Sequence, residues 1–185
     1  MSRFPDVMKL RILCYPDPRL RDHAGDLKDT GSLVKEITLR MAELMGEAGG
    51  VGLAATQVGW PYRFVVLNTT GEPGKIEAYL NPEIIAREGK VVAEEGCLSL
   101  PGLWAKVRRA ERVRVRATRA DGEVVEFDAE GLAARAWQHE IDHLEGGLFV
   151  DRVGAAAKIL LRPRLHSLEK EYKLLLPSDE AKKKK

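Results

Sequence analysis

Residues 138–147 read QHEIDHLEGG. Two histidines, His139 and His143, stand four positions apart, and Glu140 follows the first. At about 3.6 residues per turn, positions four apart on an α-helix differ by only about 40° around the axis. A helix here would hold both imidazoles on one side, close enough to share one metal ion. The flanking stretch AEGLAARAWQHEIDHLEG supports that geometry, with Leu132, Ala136, Ile141 and Leu144 at helical spacing. Two imidazoles rarely complete a metal site. The plainer alternative is a pair of core or surface histidines brought four apart by chance.

Working outward, TGSLVKEITLRMAELMGEAGG carries Leu33, Val34, Ile37, Met41, Leu44 and Met45 at the spacing of an amphipathic helix, stopped by Gly49 and Gly50. RFVVLN predicts a buried strand, and PEIIAREGKVVAEEG two short strands around Gly89. ERVRVRATRADGEVVEFDAEG alternates polar and apolar residues on both sides of Asp121-Gly122, a hairpin signal whose arginines form the wet face. YPDPRLRDHA is punctuated by proline and reads as an extended loop with His23 in solvent. GAAAKILLRPRLHSLEKEYKLLL is helical and is expected to break at Pro163, because proline suits a first turn and not a helix interior. His166 lies there, away from any other candidate ligand. The fold class expected is α+β: antiparallel β-sheets packed around a central metal-binding helix, with a C-terminal helix.

Composition narrows the class. At 185 residues, 44% of them hydrophobic, the chain suits one domain with a sizeable core. We expect a single unit over 1–185, with its core over about 11–152, a helical segment over 154–176 and a flexible Lys tail over 177–185. A formal net charge of +2 argues against bulk or sequence-specific nucleic-acid binding. Residues 182–185 are all lysine and supply much of that sign; they read as a solvated end, or more weakly as a contact with ribosomal RNA. No apolar run reaches the roughly 18–20 residues of a membrane helix, and the start lacks the apolar stretch of a signal peptide. The expectation is a cytoplasmic protein. Two cysteines, Cys14 and Cys97, do not make a disulfide framework. Cys14 has no chemical company and reads as a packed thiol.

Cys97 is different. It lies in EEGCLSLPG (94–102), bounded by glycines and outside the regular alternation around it. One thiolate and two imidazoles suit a divalent transition metal that keeps one position open, the layout of a catalytic site. A third unusual stretch, GVGLAATQVG (50–59), stands beside these two.

In order and spacing, GVGLAATQVG, EGCLSLPG and QHEIDH resemble the three signature motifs of the peptide deformylases. The resemblance takes in YPDPRLR and the strands between, roughly Arg11 to Arg152, and weakens after Val153. It implies that Cys97, His139 and His143 ligate the metal, and that Glu140 carries the proton from water to the leaving amine. Gln57 and the backbone N–H of Leu98 would stabilise the oxyanion. Gly50, Val51 and Gly52 would expose backbone to an extended peptide. Leu132 is a candidate wall for a methionine pocket, or equally plain core. The implied reaction removes formyl from the N-terminal formyl-methionine of nascent polypeptides, which makes those chains, and the ribosome near its exit tunnel, the partners. The implied native ion is Fe(II), with Zn(II), Ni(II) or Co(II) as substitutes. The rivals are an HExxH zinc endopeptidase, which wants a third His or Glu ligand after His143, and a non-catalytic metal-stabilised module, which wants a fourth protein ligand.

Overall fold

The computed structural model describes residues 5–28, 31–72 and 74–175. The strands are β1 (Gly52–Ala54), β2 (Phe64–Leu67), β3 (Glu77–Glu88), β4 (Val91–Gly96), β5 (Trp104–Arg109), β6 (Arg112–Arg119) and β7 (Val124–Glu130). The helices are α1 (Ser32–Glu47), α2 (Gly131–Leu144) and α3 (Ala155–Leu175). Five strands form one antiparallel sheet in the order β1-β2-β3-β6-β7, and β4 pairs with β5 as a separate two-stranded ribbon. This is the expected α+β arrangement, with α2 at its centre.

The uninterrupted apolar run of β2 follows from its position. Side chains along a strand alternate between faces. Phe64 and Val66 join Ile37, Met41 and Leu44 of α1, while Val65 and Leu67 join Ile141 and Leu144 of α2. A strand covered on both faces cannot show a polar alternation. On β6 one face suffices: Val113, Val115 and Ala117 are buried, while Arg112, Arg114 and Arg116 point out and pair with Glu88, Asp128, Glu83 and Glu126. Those exposed ion pairs contribute little to stability. Gly122, at φ 94°, turns the hairpin where Asp121-Gly122 predicts it. Gly49, at φ 69°, ends α1 as expected.

Four local expectations need correction. The strands around Gly89 are not both short and do not share a sheet: β3 runs for 12 residues, and β4 leaves the large sheet to pair with β5. Nothing in WAKVRR singles out β5. The proline-punctuated loop contains a 3₁₀ turn, Pro18–Arg21, capped by Asp17, which accepts from the Arg19 backbone N–H at 3.1 Å. Cys14 is exposed, not packed. Its neighbours anchor the segment, with Leu13 N donating to the Gln57 carbonyl and Tyr15 N to the Ser99 carbonyl, and only Leu13 of the three is buried. Finally, α3 continues through Pro163. Leu161 and Leu168 are buried on either side of the proline, with Ala157 and Leu165 packed beside them in the cluster that holds Leu100, Val107 and Phe149. Anchoring on both sides outweighs the roughly 3 kcal/mol that an interior proline costs. Ile159, whose carbonyl loses its helical donor, is 59% exposed, so water can reach that turn. The Lys tail lies outside the described residues.

Candidate active site

Three separate segments meet over the inner side of α2. The helix supplies His139, Glu140 and His143; the turn after β4 supplies Cys97; the 3₁₀ turn Ala55–Val58 after β1 supplies Gln57. Donor atoms of Cys97, His139 and His143 lie within 4.8 Å of one another, and the Cys97 Sγ is 3.2 Å from His143 Nε2. One sulfur and two nitrogens converging in this way fit a single divalent metal ion.

Gln57 is buried and fixed at both ends. Its Oε1 accepts from Ala54 N at 2.8 Å, and its Nε2 donates to Ser99 Oγ at 3.1 Å and approaches Cys97 Sγ at 3.6 Å. Glu140 is 4% exposed, and its Oε2 has no hydrogen-bond partner. An orphaned buried carboxylate oxygen beside a cluster of donors that could hold a metal ion fits a group that serves a bound water or substrate. Burial pushes its carboxyl up to about 7, against the pull of His139. The two imidazoles differ. Burial disfavours the charged form of both, but at His139 the hydrogen bonds to Cys97 and Glu95 outweigh it and raise the proton affinity. His143 has no partner at Nδ1 and is pushed well below the usual imidazole range.

These groups open into a cavity of about 590 Å³ walled by Gly50, Val51, Leu98, Trp104, Leu132 and Arg135. Leu132, 45% exposed, belongs to this wall and not to the core. A Cβ on Gly52 would come within 2.5 Å of Glu140 Oε1, and one on Gly50 within 2.7 Å of Leu98 Cδ1. The Leu98 tip can swing aside for a side chain at position 50, whereas Gly52 sits against Oε1, Cδ and Cγ of Glu140, so there the close approach favours glycine. Strand β1 is an edge of the five-stranded sheet, so a backbone facing the cavity can accept another strand.

Sequence reasoning overlooked a layer behind the ligands. His139 Nδ1 is 3.3 Å from Glu95 Oε2, and Arg109 donates to both Glu95 oxygens at 2.9 Å and to Asp142 Oδ2 at 2.6 Å. Burial works against the Glu95 charge, but His139 and Arg109 hold its carboxyl down at about 2. The structure puts Ala105, Val107 and Arg109 on one face of β5, but in WAKVRR, with three cationic residues among six, no sequence signal marks that face as buried.

A catalytic HExxH endopeptidase requires its third ligand downstream. The converging group among the described residues takes it from Cys97, upstream, and contains no fourth protein ligand. Fold and site together thus define a class of protein that gathers a Cys-His-His donor group, able to hold one metal ion, beside a buried carboxylate. The polypeptide deformylase family model matches residues 9–158, and the chain belongs to that family. The peptide deformylase of Chromobacterium violaceum is 43% identical over 162 residues, covering 88% of this chain and 97% of its own. The crystal structure of the Plasmodium falciparum peptide deformylase superposes with a TM-score of 0.86 at 32% identity, covering 91% of this chain and all of that one. Peptide deformylase 1B of Arabidopsis thaliana, in complex with an inhibitor, also gives a TM-score of 0.86, at 38% identity, over 91% of this chain and 96% of its own.

Proposed function

We propose that this chain removes the formyl group from N-terminal formyl-methionine of nascent polypeptides, releasing formate, with Glu140 as proton carrier and Cys97, His139 and His143 as metal ligands. The observation that carries it is the convergence of those three donors beside the unpartnered oxygen of Glu140. When bound, a divalent metal activates water and polarises the carbonyl it attacks. Glu140 takes the proton from the attacking water and passes it to the leaving amine. A carboxyl held near 7 by burial suits both halves of that task. Gln57 Nε2 and the Leu98 backbone N–H donate to the oxygen that gains charge. An amide suits this because it donates without bringing a charge of its own. The substrate lies extended along Gly50, Val51 and Gly52, with its methionine against Leu132. Formyl is the smallest acyl group, so a tight space at the reacting carbon excludes acetyl and larger groups.

The ion in this reading is Fe(II), which the S/N/N donor set accommodates along with Zn(II), Ni(II) and Co(II). The site of work is the cytoplasm near the ribosomal exit tunnel, where formylated chains emerge. One domain carries it, with its core over about 11–152 and α3 as a C-terminal addition. The test is formate release from a formyl-methionyl peptide by protein loaded anaerobically with Fe(II). Turnover of the formyl peptide and none of its acetyl counterpart is expected. Internal peptide cleavage with no formate release would overturn the proposal in favour of an endopeptidase.

A further inference from the structure

The ligands to the metal arrive on two elements that are not neighbours in sequence. Cys97 follows β4, whereas His139 and His143 ride on α2. Metal–sulfur bonds of about 2.3 Å and metal–nitrogen bonds of about 2.0–2.1 Å tolerate errors of only about 0.2 Å. Something must therefore hold the strand against the helix at a fixed distance. Glu95 lies two residues before Cys97, and Asp142 lies between the two histidines, next to His143. Both carboxylates are gripped by one guanidinium, that of Arg109 on β5. All three side chains are almost fully buried, at 3% exposed for Arg109, 7% for Glu95 and 8% for Asp142.

We propose that Arg109 is a positioning residue of the metal centre, setting the separation of the Cys97 strand from the histidine helix and the orientation of His139. It touches neither the metal nor the substrate. Its planar fork takes both oxygens of Glu95 and still reaches Asp142, a span that the single ammonium of lysine cannot reproduce. Glu95, held in that plane, turns Oε2 toward His139 Nδ1 at 3.3 Å. A carboxylate only accepts, so this contact keeps the imidazole proton on Nδ1 and leaves the Nε2 lone pair for the metal. Asp142 is held from its other side by Arg152, which closes the chain toward solvent with two carboxylates balanced by two guanidinium groups. Replacing a buried ion network by apolar residues is often neutral or stabilising. Its place here, behind the metal ligands, is better explained by the geometry it imposes.

The inference rests on the ligand set proposed above, and the experiment separates the two. The full chain is loaded with Co(II), and the readouts are the visible spectrum, the rate of metal release to a chelator, kcat and KM per bound metal, and the melting temperature without metal. Arg109→Met is compared with Arg109→Lys and with the double variant Arg109→Met/Glu95→Gln. The double variant removes the uncompensated carboxylate that the single one leaves buried, so it folds even where Arg109→Met does not. We expect release about 10–100-fold faster, as for loss of other supporting partners of a metal ligand. We also expect a shifted cobalt spectrum and a lower kcat at unchanged KM, in all three variants. If the double variant matched wild type in spectrum and release, Arg109 would merely neutralise a buried charge, and the positioning role would be overturned. Wild-type behaviour of Arg109→Lys would overturn that role equally. A wild-type chain with no sulfur-to-cobalt charge-transfer band would instead overturn the ligand set, and the positioning role with it.

Discussion

In the proposed reaction Glu140 and Gln57 act through different chemistry, and substitution separates them. Glu140 is near the donor cluster yet outside it, so Glu140→Ala is expected to retain the metal and lose about 10²–10⁴-fold in turnover, the usual contribution of a general acid–base group. Metal analysis beside formate assays checks this, and loss of the metal would mean the carboxylate is a ligand after all. Gln57→Leu removes the proposed oxyanion donor and is expected to lower kcat about 10²–10³-fold with KM little changed. The structure adds a second consequence for that variant. Ala54 N would lose its Gln57 Oε1 acceptor and keep only the Glu140 carboxylate, a loss of about 0.5–1.5 kcal/mol. Denaturant unfolding should show that loss, and kcat must be referred to folded protein. Gly52→Ala tests the same neighbourhood from the backbone. Its Cβ would press on Glu140 at 2.5 Å, so turnover should collapse while the metal stays bound. Near-normal turnover would mean that β1 shifts readily, and the close approach would carry no functional weight.

At the scale of elements, α3 shows tertiary packing overruling local preference. Proline at 163 predicts a divided segment, yet the apolar stripe Ala157, Leu161, Leu165 and Leu168 docks as one surface. Because the carbonyl of Ile159 lacks its helical donor, Pro163→Ala should raise stability by about 1–3 kcal/mol. Thermal unfolding checks the sign, and a lower melting temperature would show that the helix is shaped around the proline. Elements with one dominant period are legible in the sequence. The apolar positions of α1 and α2, the run of β2 and the β6–β7 hairpin all follow from spacing. Strand β1 has three residues and β5 six, too short or too charged for a period to show. The pairing of β4 with β5 depends on which neighbour is nearer in space, and local sequence does not encode that.

Across the molecule, the site couples pieces that otherwise pack separately. Gln57 belongs to the segment under α1, Cys97 to the ribbon end near α3, and the histidines to α2. A ligand that binds only the folded arrangement adds stability as RT ln(1 + [L]/Kd), about 2.7 kcal/mol at 100 times Kd and about 4.1 at 1,000 times. Metal removal by a chelator should therefore lower the melting temperature, and returning the metal should restore it. No change on removal would mean that the three donors are held equally well without the ion. Candidate metal donors are readable from spacing and setting: His139 and His143 on one helix, and Cys97 set apart by its glycines. Roles for Glu140, Gln57, Leu98, Gly50, Val51, Gly52 and Leu132 come only with the whole three-motif resemblance. Arg109 and Glu95 are invisible at that level, because a charged side chain on a short strand looks like surface until a buried partner is placed against it. Sequence by itself determined which atoms could bind and transfer, since donor type and helical spacing are local properties of the chain. Tertiary structure alone decided which of them meet and what holds them in register, because those distances arise from packing between elements far apart along the chain.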